Sequence, residues 1–252
     1  MKRKPAEFKR LARETLTRHY GIPMGAMVVT ELILFILSLP FSWNITVDSS
    51  IREWVIYYVA SVAISLLGVV LSIGTLRIVL SMARQKPYAF NDLFYGFFHH
   101  PDRYILAAVL LFLICMVPAI PFVAVVATLK MMSGFALRLS LTLITAAIMI
   151  AGEIYIALTY ALIYFLLLDH PDMRIVESFR ESRQMMKGNK GRMFYLMLTF
   201  IGFWILGILS LGIGFLWIGP YQMETTTFFY LELAGEFDAK ATFESETVLD
   251  YQ

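Results

Sequence analysis

Residues 104–129, YILAAVLLFLICMVPAIPFVAVVATL, carry no charged side chain. A water-soluble fold has no place for so long an uncharged run, whereas about 20 apolar residues in a helix cross a bilayer. TELILFILSLPF and LTLITAAIMIAGEIYIALTYALIYFLLL repeat the pattern elsewhere in the chain. The chain is 59% hydrophobic and 16% charged, against roughly 45–50% and about 25% for soluble domains. Apolar length and flanking charge predict spans at about 22–41, 54–82, 104–129, 137–168, 192–209 and 214–235. The expected fold is all-α, a polytopic bundle of six transmembrane helices.

Charge sets the orientation. With the N-terminus inside, 17 of the 21 Lys and Arg fall on the cytoplasmic side. Arg52, Lys130 and Arg138 fall outside, and Arg77 lies within a span. Cytoplasmic loops carry the basic excess, so both termini are expected in the cytoplasm of a multi-pass bacterial cell-membrane protein. The basic runs precede apolar spans directly, which marks them as topology signals and not as nucleic-acid patches. A membrane domain over 1–236 is followed by an acidic cytoplasmic tail, 237–252. Cys115 is the only cysteine, so no disulfide framework or Cys metal cluster is expected. Asn44-Ile45-Thr46 matches a glycosylation triplet and carries little weight.

Three short segments lead into spans one, three and five. Phe8, Leu11, Ala12 and Leu16 mark the first; Phe90, Leu93, Phe94 and Phe97 the second; Ile175, Val176, Phe179 and Met186 the third. These are the spacings of amphipathic helices too short and too polar on one face to span. In the second, Asn91, Asp92 and Tyr95 are expected to point away from the apolar face. The three imply a threefold degenerate repeat over about 8–82, 89–168 and 175–236. His-Pro-Asp occurs at 99–104 (HHPDRY) and 169–174 (DHPDMR), off that period. Pro suits a first helical position and Asp the positive end of a helix, so both copies read as helix starts.

Charges inside spans are costly, about 2.5–3.5 kcal/mol each at mid-membrane on insertion scales, and mark either structure or function. Four qualify: Glu31, Arg77, Glu153 and Glu224. Together they form a candidate ion-pair or transport cluster. The structural reading is a buried pair, Arg77 with Glu224, plus a neutral acid bonded to Thr225, Thr226 or Tyr221. Arg174, Arg180, Arg183, Lys187, Lys190 and Arg192 are candidates for lipid headgroups. The histidines sit at span boundaries, and no catalytic, metal or nucleotide motif occurs in its required context; no cofactor and no metal is expected. Ser61, Ser65, Gly68, Ser72 and Thr75 share one face of span two, an expected packing stripe. Pro118 and Pro121 are expected to bend span three.

The 183–231 stretch is distinctive. The junction SRQMMKGNKGRMF, the span FIGFWIL (Phe203 where Trp is usual), GIGFLWIGPY and the terminal FYLEL resemble the bacterial integral membrane proteins grouped as domain-of-unknown-function family 975. The lead-in ending in Tyr20-Gly21 is also similar. More distantly, the layout looks like the membrane domain attached to some glycerophosphodiester phosphodiesterases, whose soluble catalytic domain has no counterpart here. The resemblance implies the fold and no catalytic residue. The expected function is a non-catalytic membrane protein organising lipid, or a membrane partner, at the cytoplasmic leaflet. The alternative is a small transporter or permease component using the intramembrane polar residues. Nucleic acid is not an expected partner.

Overall fold

The computed structural model describes residues 3–43, 45–46, 49–128 and 134–237, without the Arg18 side chain. Asn44 of the glycosylation triplet, Lys130 and the acidic tail beyond Phe237 lie outside the described residues. Those residues are helical, with no strand among them: α1 Pro5–His19, α2 Gly21–Ser42, α3 Ile51–Ala83, a 3-10 turn Phe90–Phe94 running into α4 Tyr95–Phe98, α5 Pro101–Thr128, α6 Phe135–Thr159, α7 Ile163–Asp169, α8 Ile175–Met185, α9 Lys190–Leu198, α10 Ile201–Leu209 and α11 Phe215–Leu233. Five stretches are long and apolar enough to cross a membrane: α2, α3, α5, α6 with α7, and α9 with α10. The chain divides into two compact units, residues 1–104 with 191–252, and residues 105–190.

The first unit is built around α11. Phe8, Ala12 and Leu16 of α1 are buried, and Phe8 meets Phe229 edge to face at 5.7 Å. Lys4, Glu7, Arg10, Arg13 and Glu14 stay exposed on the opposite side. α11 packs against α1, α2 and α3, and Ile218, Tyr221, Glu224, Thr225 and Thr227–Leu231 are buried. The helix expected to be a sixth span is therefore enclosed by protein over much of its length, and it is not among the five apolar stretches.

α3 has two characters. None of its residues before Val70 is buried, whereas ten between Val70 and Met82 are. At 1.5 Å per residue the open part, 51–69, is about 28 Å long, one hydrocarbon thickness. The enclosed part is covered by the 90–98 segment at backbone contact: a Cβ on Gly74 would lie 1.9 Å from the Leu93 carbonyl oxygen, and one on Gly96 would lie 2.5 Å from that of Val70. Leu93 and Gly96 are buried against α3, while Phe90, Phe97 and Phe98 lie on the protein surface, open to lipid. Of the expected apolar face, Leu93 therefore meets protein and Phe90 and Phe97 do not. The small-residue stripe packs only in part. Gly68 lies on Leu34 of α2 and Thr75 is buried, whereas Ser65 and Ser72 are exposed and bond back to Ser61 O (2.8 Å) and Val69 O (2.7 Å) of their own helix; the backbone approach falls on Gly74.

In the second unit, the expected fourth span is broken at 160–162 between α6 and α7. The buried Ser182 hydroxyl of α8 bridges the break, donating to Thr159 O (3.0 Å) and accepting from the Leu162 N–H (3.4 Å). α5 runs unbroken through Pro118 and Pro121, and Gly152 of α6 sits where a Cβ would come 2.5 Å from Pro118. The fifth stretch breaks likewise at Thr199–Phe200 in the first unit, where Lys9 Nζ of α1 donates to Thr199 O at 2.9 Å. The two His-Pro-Asp copies differ. Pro101 opens α5, as expected, while His170-Pro171-Asp172 is a turn closed by the Met173 N–H on His170 O (3.0 Å). α8 begins only at Ile175, with the Arg174 N–H capped by Glu177 (3.1 Å).

Candidate functional site

Of the four charges placed inside spans, the three in the first unit, Glu31, Arg77 and Glu224, do not gather. Arg77 leaves the inner stripe of α3 toward the 90–98 segment, where its Nε lies 3.5 Å from Asp92 Oδ1. Its guanidinium carbon stands 3.7 Å over the Tyr95 ring. Asp92 also accepts the Ala89 N–H at 2.9 Å, so one carboxylate both starts the 3-10 turn and holds Arg77. Asp92 and Tyr95, expected to face away, are the residues that engage α3. The expected Arg77–Glu224 pair is not formed, because the 90–98 segment folds back and brings a nearer carboxylate. Glu31 is exposed on α2. Glu153 belongs to the second unit.

Glu224 is fully buried, and neither carboxyl oxygen has a hydrogen-bond partner among the described residues. The neighbours expected to serve it bond to their own helix: Thr225 donates to Tyr221 O (2.6 Å) and Thr226 to Gln222 O (2.9 Å). One turn further along the same face, Phe228 and Leu231 line a cleft of about 970 Å³ bounded by α1, the end of α3 and the end of α11. Glu14, His19, Arg84, Lys86 and Tyr88 bring polar groups to its walls. Arg84 Nε donates to Glu236 Oε2 at 3.0 Å, with a second bond from Nη2 to Oε1. His19 meets Tyr88 edge to face at 6.2 Å. Burial raises the Tyr88 phenol above its ordinary value. No group of three or more His, Cys, Asp or Glu among the described residues is arranged to hold a metal. Sequence reasoning missed this cleft, since its walls come from segments far apart in the chain.

The six basic headgroup candidates separate into two kinds. Arg174, Arg180, Arg183 and Lys187 are exposed. Val176, Arg180, Arg183 and Lys187 follow helical spacing on and just past α8, opposite the buried Ser178, Ser182 and Met186. Glu177 and Glu181 lie between the two faces. Lys190 and Arg192 are half-buried and engaged by other side chains. Lys190 Nζ stands 3.6 Å over the Tyr155 ring in the second unit. Arg192, in the first, donates to Arg3 O (2.9 Å) and to Glu232 Oε1 (2.7 Å). Lys9 is likewise held inward, over the Phe200 ring at 4.3 Å, and burial, then the neighbouring Arg13 charge, lowers its ammonium below the ordinary value.

An all-helical chain with five stretches fit to cross a bilayer, and with its polar groups gathered at helix breaks and along one face of short helices, is a membrane protein. It belongs to the family described as protein of unknown function (DUF975), whose model matches residues 1–236. No curated protein and no solved structure matches the chain significantly, so the more distant likeness to the membrane domain of glycerophosphodiester phosphodiesterases gains no support.

Proposed function

We propose that this is a non-catalytic multi-pass protein of the bacterial cell membrane, both termini cytoplasmic, that holds anionic lipid headgroups of the cytoplasmic leaflet on its exposed basic residues. The observation that carries this reading is the exposed stripe of Arg180, Arg183 and Lys187 with Val176 beside it, on a helix whose other face is anchored through Ser182. Basic side chains near an anionic surface contribute about 1 kcal/mol each, so three together favour anionic over zwitterionic lipid by about 3 kcal/mol. The exposed Lys4, Arg10 and Arg13 of α1 add a second such face in the first unit.

We read α1, the 90–98 segment and α8 as amphipathic cytoplasmic-side helices of a threefold repeat. In each an acid three residues in reaches back to cap the start: Glu7 to the Lys4 N–H (3.3 Å), Asp92 to the Ala89 N–H (2.9 Å) and Glu177 to the Arg174 N–H (3.1 Å). The acids are spaced 85 residues apart, and each is followed by a buried residue: Phe8, Leu93 and Ser178. The transporter alternative is the weaker reading. It needs Glu31, Arg77, Glu153 and Glu224 to act together, yet Asp92 and Tyr95 hold Arg77, and Glu224 is sealed.

The test is lipid retention. Protein solubilised from vesicles of equal phosphatidylglycerol and phosphatidylcholine should retain phosphatidylglycerol in excess. An R180Q/R183Q/K187Q variant should lose most of that excess without losing helicity. Equal retention by the variant would refute the assignment.

A further inference from the structure

The hairpin of α10 and α11 carries an inference that its composition alone does not. Residues 193–223 contain no Asp, Glu, Lys or Arg, which is 31 residues between Arg192 and Glu224. Two full crossings need about 20 apolar residues each, so this run is too short for both. The chain reverses within 210–214, where Leu211 and Gly212 take positive φ of 55° and 91°, and the tip is apolar and bare: Leu211 is 94% exposed.

Register shows how far the hairpin reaches. In the antiparallel α2–α3 pair, Leu34 lies on Gly68, where a Cβ would sit 3.0 Å from it. Counting back from that contact sets Met27 level with about residue 75. Met27 in turn packs on Gly219 of α11, its sulfur 3.0 Å from a Cβ there. At the other end, Met82 and Ala83 share the cleft wall with Phe228 and Leu231. α11 therefore begins level with about Leu71 and runs past the end of α3. The tip at Leu211 reaches about 12 Å beyond Gly219 at 1.5 Å per residue. It stops short of the outer part of the pair, where no residue of α2 after Thr30 and none of α3 before Val70 is buried. α1 also lies along α11 by its apolar face, with its charged face turned outward: Phe8 is on Phe229, and the Tyr221 hydroxyl donates to Lys9 O at 3.4 Å. Sinking α11 into hydrocarbon would carry Lys4, Glu7, Arg10, Arg13 and Glu14 with it, at about 2.5–3.5 kcal/mol for each such charge at mid-membrane.

We propose that this hairpin does not cross the bilayer. It is a re-entrant wedge that enters only the leaflet on the side of α1, with Leu206, Ile208, Leu209, Leu211 and Ile213 among the acyl chains of that leaflet. The chain then crosses four times, through α2, α3, α5 and α6 with α7. Glu224 lies at headgroup depth beneath the cleft, level with the last turns of α3, and not at mid-membrane.

The test places single cysteines in a Cys115→Ala background and labels whole cells with a membrane-impermeant maleimide. Ser49→Cys, in the α2–α3 connection, reports the orientation, and Ser210→Cys reports the hairpin. Labelling at 49 and none at 210 is expected, whereas labelling at 210 from the side that labels 49 would overturn the wedge. If 49 is inaccessible from outside while the N-terminus is accessible, the orientation is reversed, and the same comparison is made from the other side. Depth is read independently with Leu211→Trp in a protein whose four Trp are replaced by Phe, reconstituted in brominated phosphatidylcholine. Level with about residue 67 of α3, the tip is shallow, so quenching should be strongest for bromine on the upper acyl carbons and weaker near the chain ends. Strongest quenching by bromine near the chain ends, or none from any acyl position, would refute a wedge of this depth, whichever side is labelled.

Discussion

Replacing Arg77 separates two accounts of what a charge on α3 is for. Its guanidinium lies over Tyr95 at 3.7 Å and its Nε is 3.5 Å from Asp92, with the two side chains 37% and 27% exposed. A cation over an aromatic ring contributes about 0.5–2 kcal/mol depending on desolvation. The ion pair, part-exposed and long, adds less than about 1 kcal/mol. Arg77→Ala should therefore cost about 2 kcal/mol, and Arg77→Lys, which keeps the charge but loses the planar stack, about 1 kcal/mol. Asp92→Asn removes the charge yet leaves an acceptor for the Ala89 N–H, so it isolates the pair. Equilibrium unfolding of the detergent-solubilised protein by SDS titration, followed by Trp fluorescence, would give the double-mutant cycle. Arg77 and Asp92 should couple by about 0.5–1 kcal/mol, while Arg77 and Glu224 should be additive within about 0.5 kcal/mol. A larger coupling to Glu224 than to Asp92 would refute the geometry described here and restore the intramembrane pair.

The same unfolding assay checks three further substitutions. Ser182→Ala strips both backbone groups of the α6–α7 break of their partner and should cost about 1–3 kcal/mol, with faster amide exchange at Leu162. Gly74→Ala drives a Cβ into the Leu93 carbonyl and should cost at least about 2 kcal/mol; Gly219→Ala meets only the thioether of Met27 and should cost less. Glu224→Gln should stay within about 1 kcal/mol of the parent, since a buried ionised carboxylate without a partner is far costlier than a neutral group of its shape. A loss of several kcal/mol would mean that Glu224 is charged and paired. For topology, Gln184→Cys on the exposed side of α8 should label only after permeabilisation.

The long apolar blocks were legible to within a few residues. α2 covers 21–42 against an expected 22–41, α3 covers 51–83 against 54–82, and α5 covers 101–128 against 104–129. Lipid and protein interior impose the same apolar demand, so the blocks said nothing of which surface each residue meets. That is why α11 read as a sixth span; its run of Glu224, Thr225, Thr226 and Thr227 was the available cue that it packs among other helices. The breaks at 160–162 and 199–200 were also hidden. TYALI and LTFIG contain no proline, and the interruption is sustained from elsewhere, by Ser182 and by Lys9. Arg77 was assigned a partner from among the other intramembrane charges, which fails once the chain folds back and brings Asp92 to it. Gly74 and Gly96, one on each contact surface, were the signal that it does.

The three short lead-in segments share a role that their side chains do not advertise. Each is fastened to a long apolar stretch by polar groups: Lys9 of α1 at the α9–α10 break, Asp92 on Arg77 of α3, and Ser182 of α8 at the α6–α7 break. A backbone carbonyl or charge exposed at membrane depth costs several kcal/mol unless something satisfies it. The side chain that does so need only bring the right hydrogen-bonding sense, and an ammonium, a carboxylate and a hydroxyl each can. What the three members of the proposed repeat share is that duty and the capping acid, while their other residues differ. Degenerate sequence and regular placement are then compatible, because what is held constant is the satisfaction of a polar group beside lipid, and several residue types achieve it.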